Sequence, residues 1–239
     1  MPLYTVDLHN HTPFVASDYK AAGATTAADL VSAAAAAGID VFGVTDHVSM
    51  GFFREVERAA AQHSRLTGRP MLVVAGAELK VTWHDDEVHL IALFPSDTAE
   101  AHFRILSEAL EMRLDEQPID QLPRLTVEAD PVLVAGLVHE LGGMCHLAHA
   151  DRWFGEYRIL ETSLFGRIAG QAPISAIECL DPEACEWLTR PAHGCRVIAS
   201  SDSHDPGQIG RRTTQMELRE LTFDALREAM RPWSPALGA

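Results

Sequence analysis

The stretch that decides the fold is Tyr4-Thr5-Val6-Asp7-Leu8-His9-Asn10-His11, an alternating run typical of a short strand that ends in two histidines. Side chains two residues apart in an extended chain project from the same face, so His9 and His11 can reach one metal ion. After a polar loop, strong helix formers occupy Ala27–Ala37 and stop at Gly38. The beginning of the chain therefore predicts a strand followed by a helix, with metal-binding residues where the strand ends.

The same order of elements repeats along the chain. Further short apolar strands are predicted at Val41–Thr45, Met71–Ala75, Val88–Phe94, Met144–Ala148, Ile174–Leu180 and Arg196–Ser200. Helices are predicted at Phe52–Leu66, Ala99–Glu116, Pro131–Leu141, Tyr157–Ile168, Pro182–Thr189 and Thr222–Met230. Short buried strands that alternate with helices favour a mostly parallel sheet, here closed into a barrel. We therefore predict one α/β domain over residues 1–239, in which the polar segment Gln117–Asp130 forms a long loop that could cover a pocket.

Composition places the chain among globular proteins without a membrane span. Of its 239 residues 47% are hydrophobic, and no apolar run approaches the ~18 residues of a transmembrane helix. The N-terminal residues lack a signal pattern and the four cysteines lack disulfide-like spacing, so we expect a cytoplasmic protein with reduced thiols that serve packing. The net charge of −15 argues against binding along long nucleic acid, but it does not exclude a small phosphorylated substrate, because some of the acids would bind metal ions.

Metal-binding residue types also follow the later strands. The second predicted strand ends in Thr45-Asp46-His47, the third leads into Gly76-Ala77-Glu78, the fifth into His149 and the last into Ser201-Asp202-Ser203-His204. The carboxyl ends of parallel strands meet on one face of a barrel, where such folds place their active sites. The sequence therefore predicts a centre of histidines and carboxylates on that face.

In these motifs the chain resembles the PHP (polymerase and histidinol phosphatase) family of metal-dependent phosphoesterases. The matching motifs, in the family's order, are Asp7-Leu8-His9-Asn10-His11-Thr12, Ser17-Asp18, Thr45-Asp46-His47, Gly76-Ala77-Glu78, Ala148-His149 and Ser201-Asp202-Ser203-His204. The resemblance covers nearly the whole chain. It implies a distorted, seven-stranded, TIM-like β/α barrel and a site for two to three divalent metal ions.

The resemblance also implies how the ligands are shared. One ion would take His9, His11, Glu78 and Asp202, a second would share Glu78 and add His89 and His149, and a third would take Asp18, His47 and His204. The chain departs from the family pattern at two places. Asp18 follows His11 later than usual, and Ala150 replaces the proline common after His149.

Imidazole and carboxylate ligands without cysteine favour Zn²⁺, Mn²⁺ or Fe²⁺ over Ca²⁺ or Mg²⁺. Ions bridged by Glu78, and by a hydroxide whose pKa they lower to about 7, would hold a nucleophile opposite a phosphoryl group. The third ion would neutralise charge on the phosphoryl oxygens, so Glu78, Asp18 and His204 are the predicted catalytic residues. Three arginines that follow the motifs are predicted to bind the substrate phosphate, with a surface ion pair as the alternative for each: Arg152, Arg211 and Arg212.

Other histidines are weaker candidates. His84 and His146 compete with His89 and His149, which the family pattern favours, and His146 is expected to face the other side of its strand from His149. Asp7 is expected to orient a ligand histidine and not to bind metal. The histidines outside the motifs are expected to be surface or core residues: His63, His102, His139 and His193.

The leading functional hypothesis is a hydrolase of phosphate esters, acting on a small phosphorylated metabolite, a nucleotide or the end of a short oligonucleotide. One rival is a noncatalytic metal-binding PHP module of a larger assembly. The complete set of ligands argues against it. Another rival is C–N hydrolysis by an amidohydrolase-like barrel, which also begins with two histidines, although Asp46-His47 and Glu78 fit that class poorly.

Overall fold

A computed structural model describes residues 1–20, 23–154, 157–189 and 196–232, with the backbone alone for Phe154 and Tyr157. His193 and Cys195 lie outside the described residues. The strands are β1 Leu3–Asp7, β2 Val41–Val44, β3 Leu72–Trp83, β4 Asp86–Phe94, β5 Thr126–Glu128, β6 Met144–Leu147, β7 Trp153–Phe154, β8 Tyr157–Arg158, β9 Ile174–Glu178, β10 Val197–Ile198 and β11 Thr214–Glu217. The α-helices are α1 Ala27–Ala36, α2 Phe53–Thr67, α3 Ala99–Ala109, α4 Pro131–Glu140, α5 Ser163–Gln171 and α6 Phe223–Ala229.

Eight of the strands form a nearly closed barrel in the order β10, β9, β6, β4, β3, β2, β1 and β11, with β5 paired to β3. The short strands β7 and β8 form a separate hairpin. Where the two ends of the sheet approach each other, the Thr214 hydroxyl links them. It accepts a hydrogen bond from the Ala199 N–H (2.8 Å) and donates one to the Ala199 carbonyl (3.0 Å). The predicted α/β barrel in a single domain is confirmed.

Two layers of apolar side chains hold the barrel together. The outer layer includes Phe42 and Phe94 from the sheet and Leu30 and Phe53 from the helices. Neighbouring strand residues point to opposite faces, so the inner layer takes the alternate positions, among them Val6, Val41, Val74, Ile91 and Leu93. The inner layer fills one end of the barrel with apolar groups and leaves the polar residues to the other end.

Not every strand runs in the same direction. β4 pairs antiparallel with both β3 and β6, and β11 pairs antiparallel with β1. The other pairings within the barrel are parallel, so the prediction of a mostly parallel sheet holds with two reversed strands. Because β4 is reversed, the beginning of that strand lies beside the carboxyl ends of its neighbours.

Each of the seven predicted strands has a counterpart, but two differ in length: β3 continues past the predicted end at Ala75 to Trp83, and β10 is limited to Val197–Ile198. β5 and β11 were not predicted, since both are short and polar on their exposed face. The predicted helix Ala99–Glu116 ends at Ala109, Tyr157–Ile168 becomes helical only from Ser163, and Pro182–Thr189 keeps one 3₁₀ turn at Glu186–Thr189. The segment Gln117–Asp130 is not a featureless loop. It contains a 3₁₀ helix over Ile119–Arg124 and the strand β5, because Leu122 and Val127 are buried in the core.

No helix within the described parts of the chain combines the length and apolar character needed to cross a membrane.

Candidate metal centre

The nine predicted ligands meet at the polar end of the barrel. His9 and His11 lie just beyond β1, His47 beyond β2, His149 beyond β6, and Asp202 and His204 beyond β10. Glu78 lies within the long strand β3, and His89 reaches the same end because β4 is reversed. The prediction that Glu78 follows the end of its strand is wrong, because β3 does not end at Ala75 but continues to Trp83. The position of His89 depends on the reversal of β4, which the spacing of neighbouring residues does not show.

Glu78 occupies the middle of this centre and is buried. Its two carboxylate oxygens face different histidines. The distances from Oε2 are 3.4 Å to His9 Nε2, 3.2 Å to His11 Nε2 and 3.2 Å to His47 Nδ1, and those from Oε1 are 2.6 Å to His89 Nδ1 and 3.3 Å to His149 Nε2. A single carboxylate therefore joins the histidines of β1 and β2 to those of β4 and β6.

The potential ligand atoms fall into three groups, within each of which all atoms lie within 4.8 Å of one another. The groups are His9, His11 and Asp202; Glu78, His89 and His149; and His11, Asp18, His47 and His204. They match the three sets implied by the family resemblance, with His11 added to the third set and Glu78 adjoining the first. The structure thus brings all nine side chains together.

Asp18 reaches the third group in spite of its late position after His11. Val15 and Tyr19 on either side of it are buried, and the Lys20 N–H donates to the His204 carbonyl (3.0 Å), so the loop folds back over the centre. Asp18 Oδ2 lies 3.5 Å from His11 Nδ1 and 3.3 Å from His204 Nε2. The extra residues between His11 and Asp18 therefore lengthen the loop without moving the Asp18 carboxylate away from the other ligands.

Two of the ligand residues have strained backbones. His149 has a φ of 27° and Asp202 a φ of 48°, values that residues other than glycine rarely adopt. The His149 N–H donates to Glu178 Oε1 (3.2 Å), and the Asp202 N–H donates to the His9 carbonyl (2.8 Å). Such strain persists where the surroundings hold it, and it is often found at functional sites.

The charges of the centre favour cations. Burial by itself would raise the pKa of Glu78, but His47 and His9 hold that pKa well below its usual value, so the carboxylate is ionised. Burial by itself would lower the pKa of His11, whereas Asp202 and Glu78 raise it to about 10. Because metal ligands must be deprotonated, a divalent ion would take the place of such protons.

The residues fit bound metal ions. The buried Nε2 atoms of His9 and His11 have no hydrogen-bond partner among the described residues, although carboxylate oxygens of Glu78 and Asp202 lie 3.2 to 3.5 Å away. Two ligands that bind one ion tetrahedrally at about 2.1 Å lie about 3.4 Å apart. An ion between these atoms would therefore satisfy the buried nitrogens, and the mixed nitrogen and oxygen ligands suit Zn²⁺, Mn²⁺ or Fe²⁺.

Glu178, at the end of β9, is a residue that the sequence reasoning missed. It is fully buried, and both of its carboxylate oxygens lie 3.2 Å from His9 Nδ1. It thereby leaves His9 Nε2 directed at Glu78 and Asp202, as a carboxylate behind a metal-bound histidine does. The available signal was an acidic residue within the otherwise apolar strand Ile174–Leu180.

We expect Glu178→Gln to weaken metal binding about 10- to 100-fold, because an amide holds the His9 ring less firmly than a carboxylate does. Metal titration of the chelated protein would measure this. Glu55→Gln, on the exposed face of α2, is the control. Unchanged affinity in Glu178→Gln would show that this carboxylate does not position His9.

Three other buried polar residues support the loops that carry the ligands. Asp7 accepts hydrogen bonds from the N–H (2.9 Å) and hydroxyl (2.6 Å) of Ser201, so it holds the loop before Asp202. Asp7 was predicted to orient a ligand histidine, but its carboxylate positions this loop instead. Asp46 accepts from the N–H and hydroxyl of Thr12, both at 2.7 Å. Burial raises the pKa of each of these two carboxyls to about 6. Asn10 Oδ1 accepts from the Ser203 hydroxyl (2.7 Å).

The remaining histidines are spread over the molecule. His146 was expected to face away from the centre, but it is fully buried with Nε2 3.5 Å from Glu178 Oε2, because His149 lies beyond the strand and not on its alternating pattern. His84 lies in the turn between β3 and β4 against Trp83. His139 is exposed and His102 contacts Phe94, while His63 is partly buried on α2.

The ligands open into a cavity of about 390 Å³. Its basic lining residues are Lys20, Arg152 and Arg211. Arg152 is half exposed and lies 3.6 Å from Asp202 Oδ2, whereas Arg211 donates to the carbonyls of Ser201 (2.5 Å) and Asp202 (3.1 Å). Arg212 donates instead to the Leu180 carbonyl (2.9 Å) and is not one of the residues that line this cavity.

Comparisons with known proteins agree with this arrangement. The family model of the PHP domain matches residues 7–161, and a model of a PHP-associated region matches residues 184–232. No protein in a curated collection matches the chain.

Several solved structures share the fold. The lesion-specific endonuclease Endonuclease Q from Pyrococcus furiosus has a TM-score of 0.64 and 20% identity, with 96% of this chain and 56% of that one covered. Endonuclease Q in complex with a 27-mer duplex that has an abasic lesion at the active site has a TM-score of 0.66 and 19% identity, with 96% and 56% covered. The chain thus spans little more than half of the length of these proteins.

Two further structures with this fold are described as different kinds of protein. A two-domain protein from Bacteroides vulgatus with a predicted PHP-like metal-dependent phosphoesterase has a TM-score of 0.55 and 18% identity, with 96% of this chain and 62% of that one covered. An amidohydrolase from Chromobacterium violaceum has a TM-score of 0.57 and 20% identity, with 95% and 98% covered. Because the sequence identities are low, these structural similarities show a common fold and no more. Since the PHP model matches more than half of the residues and the motifs lie together at one end of the barrel, the chain belongs to the PHP domain family.

Proposed function

We propose that the protein is a metal-dependent hydrolase of phosphate esters, acting on a small phosphorylated metabolite, a nucleotide or the end of a short oligonucleotide. The observation that carries this proposal is the cavity itself. Buried metal-binding groups form its floor, and Lys20, Arg152 and Arg211 form its basic lining. Metal ions held at the floor, together with these basic side chains, would neutralise the charge on the phosphoryl oxygens in the transition state.

The residues divide the work between holding ions and holding substrate. Glu78 would bridge two ions, and Asp18 with His204 would hold the third beside the cavity. Bound divalent ions would polarise the phosphoryl group and lower the pKa of water near it. Arg152 could turn toward a phosphate, because its side chain is half exposed and its one ion pair within the described residues is with Asp202 at 3.6 Å. Arg211 is held in place by hydrogen bonds to two carbonyls, so its remaining N–H groups would be available to a phosphate in the cavity.

The segment 117–130 would limit what enters the cavity. Pro123 belongs to the cavity lining, and the Ser17 hydroxyl donates to the Asp120 carbonyl (3.1 Å), which joins this segment to the loop that carries Asp18. A cavity of about 390 Å³ with this border suits a terminal phosphate and a small group attached to it.

The expectation that long nucleic acid is not a substrate depends on the net charge of −15 alone. Endonuclease Q, which shares the fold, binds a 27-mer duplex. A duplex must therefore be included among the test substrates.

A panel of substrates tests the proposal. The chelated protein, restored with Mn²⁺ or Zn²⁺, would be given an aryl phosphate, a bis-aryl phosphodiester, mononucleotides, short oligonucleotides, a duplex with an abasic site and an N-acyl amino acid. We expect metal-dependent release of phosphate, or cleavage of the diester, with the small substrates. Hydrolysis of the amide alone would replace this proposal with an amidohydrolase activity. Metal binding without turnover of any substrate would indicate a noncatalytic module.

We expect Arg152→Ala to raise KM about 10- to 100-fold, because a charged hydrogen bond to phosphate contributes about 1.5–3 kcal/mol. Steady-state kinetics on the best substrate of the panel would measure the change. Arg104→Ala on the exposed side of α3 is the matched control, since Arg104 forms a 3.9 Å ion pair with Glu108 and lies outside the cavity lining. An unchanged KM would remove Arg152 from substrate binding.

A further inference from the structure

A fourth group of potential metal ligands lies beside the centre described above and shares no residue with it. It consists of Asp151, Cys179 and Cys185, whose ligand atoms all lie within 4.8 Å of one another. We call this group the thiol cluster. We propose that the thiol cluster binds one zinc ion through two thiolates and one carboxylate, in addition to the ions of the catalytic centre.

The fold brings the three residues together from separate parts of the chain. Asp151 follows the ligand His149 by two residues, and Cys179 follows Glu178 directly at the end of β9. Cys185 lies in the turn before the 3₁₀ helix Glu186–Thr189. Both thiols are buried, with 0% and 1% of their surface exposed.

The carboxylate of Asp151 is already fixed toward the cysteines. Its two oxygens accept hydrogen bonds from the N–H groups of Leu180 (2.7 Å) and Asp181 (2.8 Å). These are the first residues of the loop that joins the two cysteines, so the loop folds around the carboxylate. Backbone donors that hold a carboxylate in this way orient it as a metal ligand, and each oxygen keeps a further lone pair for an ion.

The chemistry of the ligands selects the metal. Thiolates are soft ligands that prefer Zn²⁺ to Mn²⁺ or Mg²⁺, and a zinc ion held by three protein ligands completes its tetrahedron with a water molecule. Cys185 and Asp151 line a second cavity, of about 460 Å³, from which water could supply the fourth ligand. Asp181, Glu161 and Arg158 line it as well, so its acidic groups outnumber its basic one and favour a cation.

A zinc ion here would tie the loop after β6 to the loop after β9. The first loop carries His149, and the second begins directly after Glu178. The His149 N–H donates a hydrogen bond to Glu178 Oε1 (3.2 Å). The zinc ion would therefore support the catalytic centre from behind without taking part in it. This inference does not depend on the proposed phosphoesterase activity.

Cobalt bound to thiolates gives an absorption that cobalt in the catalytic centre cannot give, since none of the nine residues proposed to form that centre is a cysteine. The full chain would be reduced, chelated and reloaded with Co²⁺. We expect a thiolate-to-cobalt charge-transfer absorption in the near ultraviolet. The Cys179→Ser, Cys185→Ser double variant should lose this absorption and bind one Zn²⁺ fewer per chain. Cys145→Ser, which removes a buried thiol of β6 outside the cluster, should retain both.

The wild-type measurement decides the proposal even if the double variant does not fold. Wild-type protein that binds Co²⁺ without the charge-transfer absorption would overturn it. So would peptide mapping of the freshly purified, alkylated protein that finds Cys179 and Cys185 joined as a disulfide. Equal zinc content in a folded double variant and in the wild type would overturn it as well.

Discussion

Glu78→Gln is expected to lower kcat for the best phosphate ester about 10²- to 10³-fold, the range found when a group that stabilises the transition state electrostatically is removed. Glutamine has nearly the same shape as glutamate but no negative charge. It would leave His9 and His11 without the shared carboxylate oxygen that lies 3.4 and 3.2 Å from their Nε2 atoms. The second group would lose its only carboxylate, because the other members are His89 and His149.

Metal analysis separates this explanation from general damage. Glu78→Gln should bind fewer ions per chain than the wild type, while its circular dichroism stays the same. Glu128→Gln, an exposed residue of β5, should keep both activity and metal content. Full activity in Glu78→Gln with normal metal content would contradict the bridging role of this carboxylate.

Removal of the metal ions is expected to abolish hydrolysis and to lower the Tm. An ion present at a hundredfold excess over its Kd stabilises the folded state by about 2.7 kcal/mol. For a chain of this size such a change corresponds to roughly 5–10 °C in Tm. Without ions, the ionised carboxylates of Glu78 and Asp202 are left in the interior with protonated histidines as their main compensation.

Thermal unfolding with and without a chelator measures the shift, and parallel assays measure activity. Mn²⁺ or Zn²⁺ should restore both, whereas Ca²⁺ should not, because imidazole ligands favour transition metals. Glu78→Gln should show a smaller shift than the wild type, since it binds less metal at the start. A chelated protein with unchanged Tm and activity would exclude a metal-dependent mechanism.

Several features of the centre are readable from the sequence because they are local. His9 and His11 share a face through the two-residue repeat of an extended chain, and Asp202 and His204 repeat that spacing. Short apolar strands followed by polar residues also indicate a barrel with its site at the carboxyl ends. These patterns need only a few neighbouring residues, so they predict the fold class and most of the ligands.

Other features depend on contacts between distant parts of the chain. Glu178 is one acid in an apolar strand until β9 pairs with β6 in the barrel and the Glu178 carboxylate reaches His9. Asp18 reaches its group only because Val15 and Tyr19 are buried and draw the loop back.

The sequence by itself determined the α/β barrel and the residue types of the centre, since both follow from local spacing. Only the tertiary structure decided that β4 runs in reverse and brings His89 to Glu78, that Arg212 turns to the Leu180 carbonyl, and that Cys179 and Cys185 meet Asp151. Strand direction and long-range packing set these positions, and neither is encoded in the spacing of neighbouring residues.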